Sequence, residues 1–208
     1  MEETNTVIEE SSLKFTFDKD TDAVKFDDTD FYRRRFNSFA GAKGIDILAE
    51  SKEIIQLIEI KNCTGHESEN IWRTSVNNSK IESAPRGLDV SRRNSLDIEV
   101  VQKVASTIAC LYGAWTKAER MESSTELSRF WKSMVDVKIP RDKKKLLVIL
   151  FLEGDFDSNG PRSRNKNMVM YRIQESIRSK LVWLNCQVAV VDSHTYKDKY
   201  FKVSRLVN

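Results

Sequence analysis

The segment KGIDILAESKEIIQLIEIKNC, Lys43 to Cys63, most narrows what this chain can fold into, because it sets charged groups inside two otherwise apolar strands. Ile54 to Ile60 are β-branched and apolar apart from Gln56 and Glu59, which suits a pleated, largely buried strand. Side chains alternate along a strand, so Ile55, Leu57, Glu59 and Lys61 share one face while Ile54, Gln56, Ile58 and Ile60 share the other. Ile45 to Ala49 form a second short strand, with Asp46 and Leu48 facing opposite to Ile45 and Ile47. The polar Glu50 to Glu53 between them has the length of a hairpin connection. Pairing of the two strands puts Asp46 beside Glu59 on one surface.

Two carboxylates and an ammonium at a sheet surface have a definite chemical use. Asp and Glu oxygens are hard donors that suit Mg²⁺ or Mn²⁺, and the backbone carbonyl of Ile60 offers another oxygen. Lys61 then positions an attacking water and offsets charge developing on a phosphate. The chemistry suggested is phosphodiester hydrolysis.

In these residues the sequence resembles the PD-(D/E)XK nuclease superfamily, the restriction-endonuclease-like fold. The first acid of its motif maps to Asp46 and the E-x-K element to Glu59-Ile60-Lys61. The resemblance implies an α-β-β-β-α-β core and a metal-dependent nuclease, with Asp46 and Glu59 as metal ligands and Lys61 assisting the nucleophile. Mg²⁺ is the implied cofactor, with Mn²⁺ as its substitute. Other acid-x-Lys triplets occur, such as Glu50-Ser51-Lys52 and Asp142-Lys143-Lys144, but only Glu59 lies inside a long apolar strand. Many members carry a further acid on a helix before the first core strand. Glu9, Glu10, Asp27, Asp28 and Asp30 are the candidates here. The Q-x-x-x-Y signature of one branch is absent, since Ser106 stands four residues after Gln102.

Composition bounds the rest. With 208 residues, 40% of them hydrophobic, the chain can bury one sizeable core, and residues 1–208 are expected to form a single nuclease-like domain. The 34 basic residues against 31 acidic give a net charge of +3, a mild hint of a polyanionic partner, DNA before RNA. Cys63, Cys110 and Cys186 are far apart, so a zinc site or disulfide framework is not expected and a cytoplasmic setting fits. The acidic N-terminus lacks an apolar signal core, and the apolar run Leu146 to Leu152 is too short to span a bilayer. A homodimer would suit double-strand cleavage.

Along the chain, residues 1–30 read as an accessory segment, with LKFTFD and AVKFDD as two strands of a hairpin. In DFYRRRFNSF, Asp30 to Phe39, arginines beside aromatics can grip a phosphate backbone; the plainer alternative sends the aromatics into the core and leaves the arginines solvated. Residues 62–97 are polar and read as a substrate-contacting flap or a disordered insertion. Arg73, Arg86, Arg92 and Arg93 in it are nucleic-acid-binding candidates, as are Arg162 and Arg164 in a later polar loop. Ile98 to Lys117 has helical periodicity, and near its start Gln102 and Lys103 are candidates to reach the site. A second helix is expected over Thr125 to Val135, with Ser123 and Glu126 at capping-box spacing. Leu146 to Leu152 reads as a central strand, Met168 to Leu184 as a helix, Gln187 to Asp192 as a strand and Tyr200 to Val207 as an edge strand.

The expectation is an α/β restriction-endonuclease-like sandwich, a central mixed β-sheet flanked by helices, with an N-terminal accessory hairpin. The alternative function is a catalytically inactive module of the same fold that binds nucleic acid or a protein.

Overall fold

The computed structural model describes residues 5–206 except 80–81, 83, 91–92, 122–125, 136–144 and 157–164. Its strands are β1 (Thr6–Glu10), β2 (Leu13–Phe17), β3 (Asp22–Lys25), β4 (Ile47–Glu50), β5 (Ile54–Asn62), β6 (Lys145–Glu153), β7 (Gln187–Val191) and β8 (Lys202–Arg205). Its helices are α1 (Glu67–Asn70), α2 (Leu96–Met121), α3 (Ser128–Val135) and α4 (Lys166–Lys180). Strands β3-β4-β5-β6-β7 form a mixed sheet in that order, and β1-β2-β8 form a second sheet. In the mixed sheet β4 runs antiparallel to β3 and β5, while β5, β6 and β7 are mutually parallel.

The period-two pattern of β5 sorts its side chains onto two cores. Ile55 and Leu57 join Val148, Leu150 and Leu152 of β6 under α2 and α4, whose Val100, Val104, Ile173 and Ile177 are fully buried. Ile54, Ile58 and Ile60 join Ile47, Ile149 and Phe151 on the other face. That face is covered by Ile8, Leu13, Phe15, Phe17 and Phe201, from the three-stranded sheet and the approach to β8. Helices therefore flank the mixed sheet on one face, and a sheet takes the place of helices on the other. β6 lies between β5 and β7 with both faces buried, as its unbroken apolar run requires.

The N-terminal hairpin forms between other strands than expected. β2 pairs with β1 through Ser11 and Ser12, whose φ values of 52° and 62° are those of a tight two-residue turn. β3 instead pairs with β4 at the edge of the mixed sheet. The reason is burial. Leu13, Phe15 and Phe17 all need cover, and the short link after Phe17 carries the chain to the other sheet. β1 is hard to see in sequence because only Ile8 of it is buried. Residues 6–25 are thus shared between both sheets.

α2 extends the expected helix at both ends, and α3 begins at Ser128 rather than Thr125. Thr125 and the Ser123 half of the capping box lie outside the described residues; the Glu126 carboxylate accepts the Asp30 N–H at 3.0 Å. Within 62–97, the Ile71–Thr74 and Val76–Asn78 turns that follow α1 pack against α2. Fully buried Asp97 accepts the Asn77 N–H, the Ser176 hydroxyl at 2.7 Å and the Lys180 ammonium at 2.8 Å, tying this segment to α2 and α4. In the Tyr32–Phe36 turn, Tyr32 is buried with Phe31 and Phe36 packed against the core, Phe39 stays exposed, and Arg33 and Arg34 are exposed and pair with Asp28 and Asp30. No described helix is long and apolar enough to cross a membrane.

Candidate active site

Backbone pairing delivers the first carboxylate. Asp46 stands one residue before β4, donates its N–H to Ile58 O at 3.1 Å and accepts the Phe26 N–H at 2.9 Å, so the ladder continues through it. The register Ile47 to Ile58 then places Asp46 opposite Glu59. Its Oδ2 accepts the Ile60 N–H at 2.7 Å, which orients the carboxylate toward β5. Next to it, the Ile45 N–H donates to Thr107 Oγ1 at 3.1 Å and docks α2 over this end of the sheet.

α2 then adds two residues one helical turn apart, Glu99 and Lys103, which share a face. Lys103 Nζ lies 3.3 Å from Asp46 Oδ1 and 2.7 Å from each oxygen of Glu59. Lys61 Nζ is 2.8 Å from Glu59 Oε1 and 3.2 Å from Glu99 Oε1. Arg73 completes the row by donating to Glu99 Oε2. Asp46, Lys103, Glu59, Lys61, Glu99 and Arg73 therefore form one chain of alternating charge, three carboxylates against three cations.

The electrostatics follow from burial. Glu59 has no exposed surface, and desolvation pushes its carboxyl up to about 7 against the pull of Lys61 and Lys103. Burial alone would lower the Lys61 ammonium, but the charges of Glu59 and Glu99 outweigh it and raise its pKa, so it stays protonated. Burial would raise Glu99, and the charges of Lys61 and Arg73 reverse this and hold it below the ordinary carboxylate range.

The sequence-derived candidates separate sharply. Asp46, Glu59 and Lys61 come together as expected. Lys103 is no surface residue, since its ammonium lies at their centre. Arg73 belongs to the cluster and is only 8% exposed, so it is not part of an exposed basic rim. The pull is local: its Nε also donates to Asn94 O at 3.3 Å, and the Glu99 carboxylate draws it inward. Gln102 lies at the surface and accepts from Asn94 Nδ2 at 3.2 Å and from Lys43 Nζ at 3.4 Å. Arg86 and Arg93 are exposed. Arg92, Arg162 and Arg164 lie outside the described residues. Of the upstream acids, Glu9 and Glu10 lie on a strand, and Glu10 pairs with Lys25 at 2.9 Å. His66 is exposed, and burial raises the Cys63 thiol. Glu99 was missed in sequence, though an acid four residues before a lysine at a helix start is a visible signal.

Among the described residues no three of His, Cys, Asp and Glu converge as a ready metal centre. Asp46 and Glu59 do converge on a single cation, the Lys103 ammonium. Their hard oxygens are the donor type that Mg²⁺ and Mn²⁺ take.

The fold and site define an α/β protein with a buried acid–base cluster at the junction of β4, β5 and α2. Residues 29–205 match the model described as "Family of unknown function (DUF6661)", and the chain belongs to that family. All six residues of the cluster fall within the matched stretch. No curated protein and no solved structure matches the chain.

Proposed function

We propose that this protein is a metal-dependent nuclease of the PD-(D/E)XK type that hydrolyses phosphodiester bonds, in DNA before RNA. The observation that carries the reading is the convergence of Asp46 and Glu59 on one cation position with the Lys61 ammonium alongside. The succession β3-β4-β5, then α2, then β6 supports it, being the β-β-β-α-β part of the core that the motif implies.

In this reading Asp46, Glu59 and the Ile60 carbonyl hold Mg²⁺, with Mn²⁺ as substitute. The ion when bound supplies Lewis-acid activation of water and charge stabilisation at the phosphate. The protein's own residues do the rest. Lys61 remains an ammonium because Glu59 and Glu99 flank it, and it orients the attacking water and offsets charge on the phosphate oxygens. Glu99 fixes Lys61 and is itself fixed by Arg73. Exposed Arg86, Arg93 and Gln102 provide the outer contacts to the nucleic acid. The free cysteines fit a cytoplasmic setting, and a two-fold dimer would serve double-strand cleavage.

The test is cleavage of supercoiled plasmid and labelled single strands with Mg²⁺, Mn²⁺ or EDTA. Wild type should cut only with the ion, and Asp46→Ala, Glu59→Ala and Lys61→Ala should not cut. Retained cleavage in all three variants overturns the proposal. One observation favours a second reading, a non-catalytic nucleic-acid-binding module: the cluster is charge-balanced by its own residues. Absence of both cutting and Mn²⁺ binding in the wild type would select it.

A further inference from the structure

Lys103 is the residue that the proposed metal site does not need and the structure nevertheless puts at its centre. Its Nζ is bonded to both oxygens of Glu59 and lies 3.3 Å from Asp46, so it occupies the point toward which both carboxylates turn. Its side chain is 14% exposed, and the Glu59 side chain it pairs with is not exposed at all. An ammonium and a divalent ion cannot share that point, because two cations at contact distance repel strongly in a desolvated site. The anchor of α2 at Thr107 keeps the helix in place, whereas a lysine stem has four carbons over which to swing.

We infer that Lys103 is an internal counter-ion that holds the divalent-cation position in the ion-free protein and leaves it when the ion binds. The inference rests on the metal-site reading above and adds a consequence for substrate. With Glu59 ionised and Lys103 in place, the three carboxylates and three cations of the cluster balance. Exchanging one positive charge for two gives it a net positive charge of one, the sign that a phosphodiester requires. Ion binding and polyanion binding are thereby coupled, each favouring the other. Ion-free protein presents a balanced site with little attraction for a backbone phosphate.

The experiment is calorimetric Mn²⁺ titration of wild type and Lys103→Met, with acetic anhydride labelling of the wild type, with and without Mg²⁺, read by mass spectrometry. Removing the competitor should tighten Mn²⁺ binding by roughly tenfold or more. Labelling of Lys103 in the wild type should rise several-fold when Mg²⁺ is added, a readout that does not depend on the variant folding. Equal or weaker Mn²⁺ binding by a folded Lys103→Met, or Lys103 labelling that ignores Mg²⁺, overturns the inference. If both respond as expected but the wild type cuts no nucleic acid, the nuclease reading fails and the counter-ion role stands. Mg²⁺-dependent cutting with unchanged labelling and affinity removes the counter-ion role alone.

Discussion

Lys103 Nζ stands 2.7 Å from both carboxylate oxygens of Glu59, a side chain with no surface of its own in water. The pairing holds the charged form of Glu59, while burial opposes it and takes the carboxyl from 4.5 up to about 7. Such a balance has a measurable consequence in pH.

Between those two values the folded protein keeps a proton that the unfolded chain has released. Stability contributed by Glu59 is therefore full below pH 4.5, falls as pH rises toward 7, and is level above it. Asp97, Asp192 and Glu99 are held below the ordinary range and are ionised over most of this window, so they do not mask the trend. Denaturant unfolding in EDTA should show wild type losing on the order of 2 kcal/mol across the window relative to Glu59→Gln. A wild type that gains stability relative to the variant as pH rises contradicts the assignment.

Glu99 holds two cations, Lys61 at 3.2 Å and Arg73, in a partly buried setting. Glu99→Gln leaves the Arg73 guanidinium, 8% exposed, without its carboxylate and should cost about 3 kcal/mol in unfolding experiments. Lys61 loses one of the three carboxylate charges that raise its pKa, so the alkaline limb of the cleavage pH profile should move to lower pH. An unshifted limb would assign Glu99 to stability alone.

These two residues also mark how far the sequence could be read. Glu59 was legible because a strand has period two and an acid in an apolar run of that period is conspicuous. Asp46 followed, since antiparallel pairing across a short turn fixes which residues meet. Lys103 was legible as a candidate to reach the site from the start of its helix, but not as the counter-ion of both carboxylates, and Arg73 was legible only as a basic residue of a polar segment. What drew them inward is the docking of α2 and of the Ile71–Thr74 turn over the sheet, a tertiary event with no local signature. The strand partners of the N-terminus were illegible for a related reason. β2 and β3 are separated by a turn-like link, and only the burial demand of Phe15 and Phe17 sends them to different sheets.

That demand is testable. Phe15 is fully buried and lies edge-on to Phe151 of β6, ring centroids 5.4 Å apart, and against Phe201 at 5.5 Å. Phe15→Ala empties the contact between the two sheets and should destabilise by about 3–5 kcal/mol. An effect below about 1 kcal/mol would mean that the three-stranded sheet does not close this face of the core.

The approach to Asp46 is sterically closed at Gly44. A Cβ there would lie 2.5 Å from Phe26 Cδ1, 2.7 Å from Cε1 and 3.2 Å from Tyr32 Cε2. Neither ring is free to retreat, because Phe26 is fully buried, the two centroids are 5.3 Å apart, and the Phe26 N–H is bonded to the Asp46 carbonyl. Gly44→Ala must therefore push on the backbone two residues before the carboxylate, with an overpacking penalty of about 1–3 kcal/mol. Gly113 in α2 gives the control. Its Cβ would meet Phe31 at 3.6 Å, an ordinary contact, so Gly113→Ala should stabilise by roughly 0.5–1 kcal/mol through helix propensity. Thermal unfolding of the two variants should move in opposite directions, and only Gly44→Ala should weaken Mn²⁺ binding. Equal shifts of the same sign would show that the Phe26 and Tyr32 rings yield, and that Asp46 is positioned by its bond to Ile60 alone.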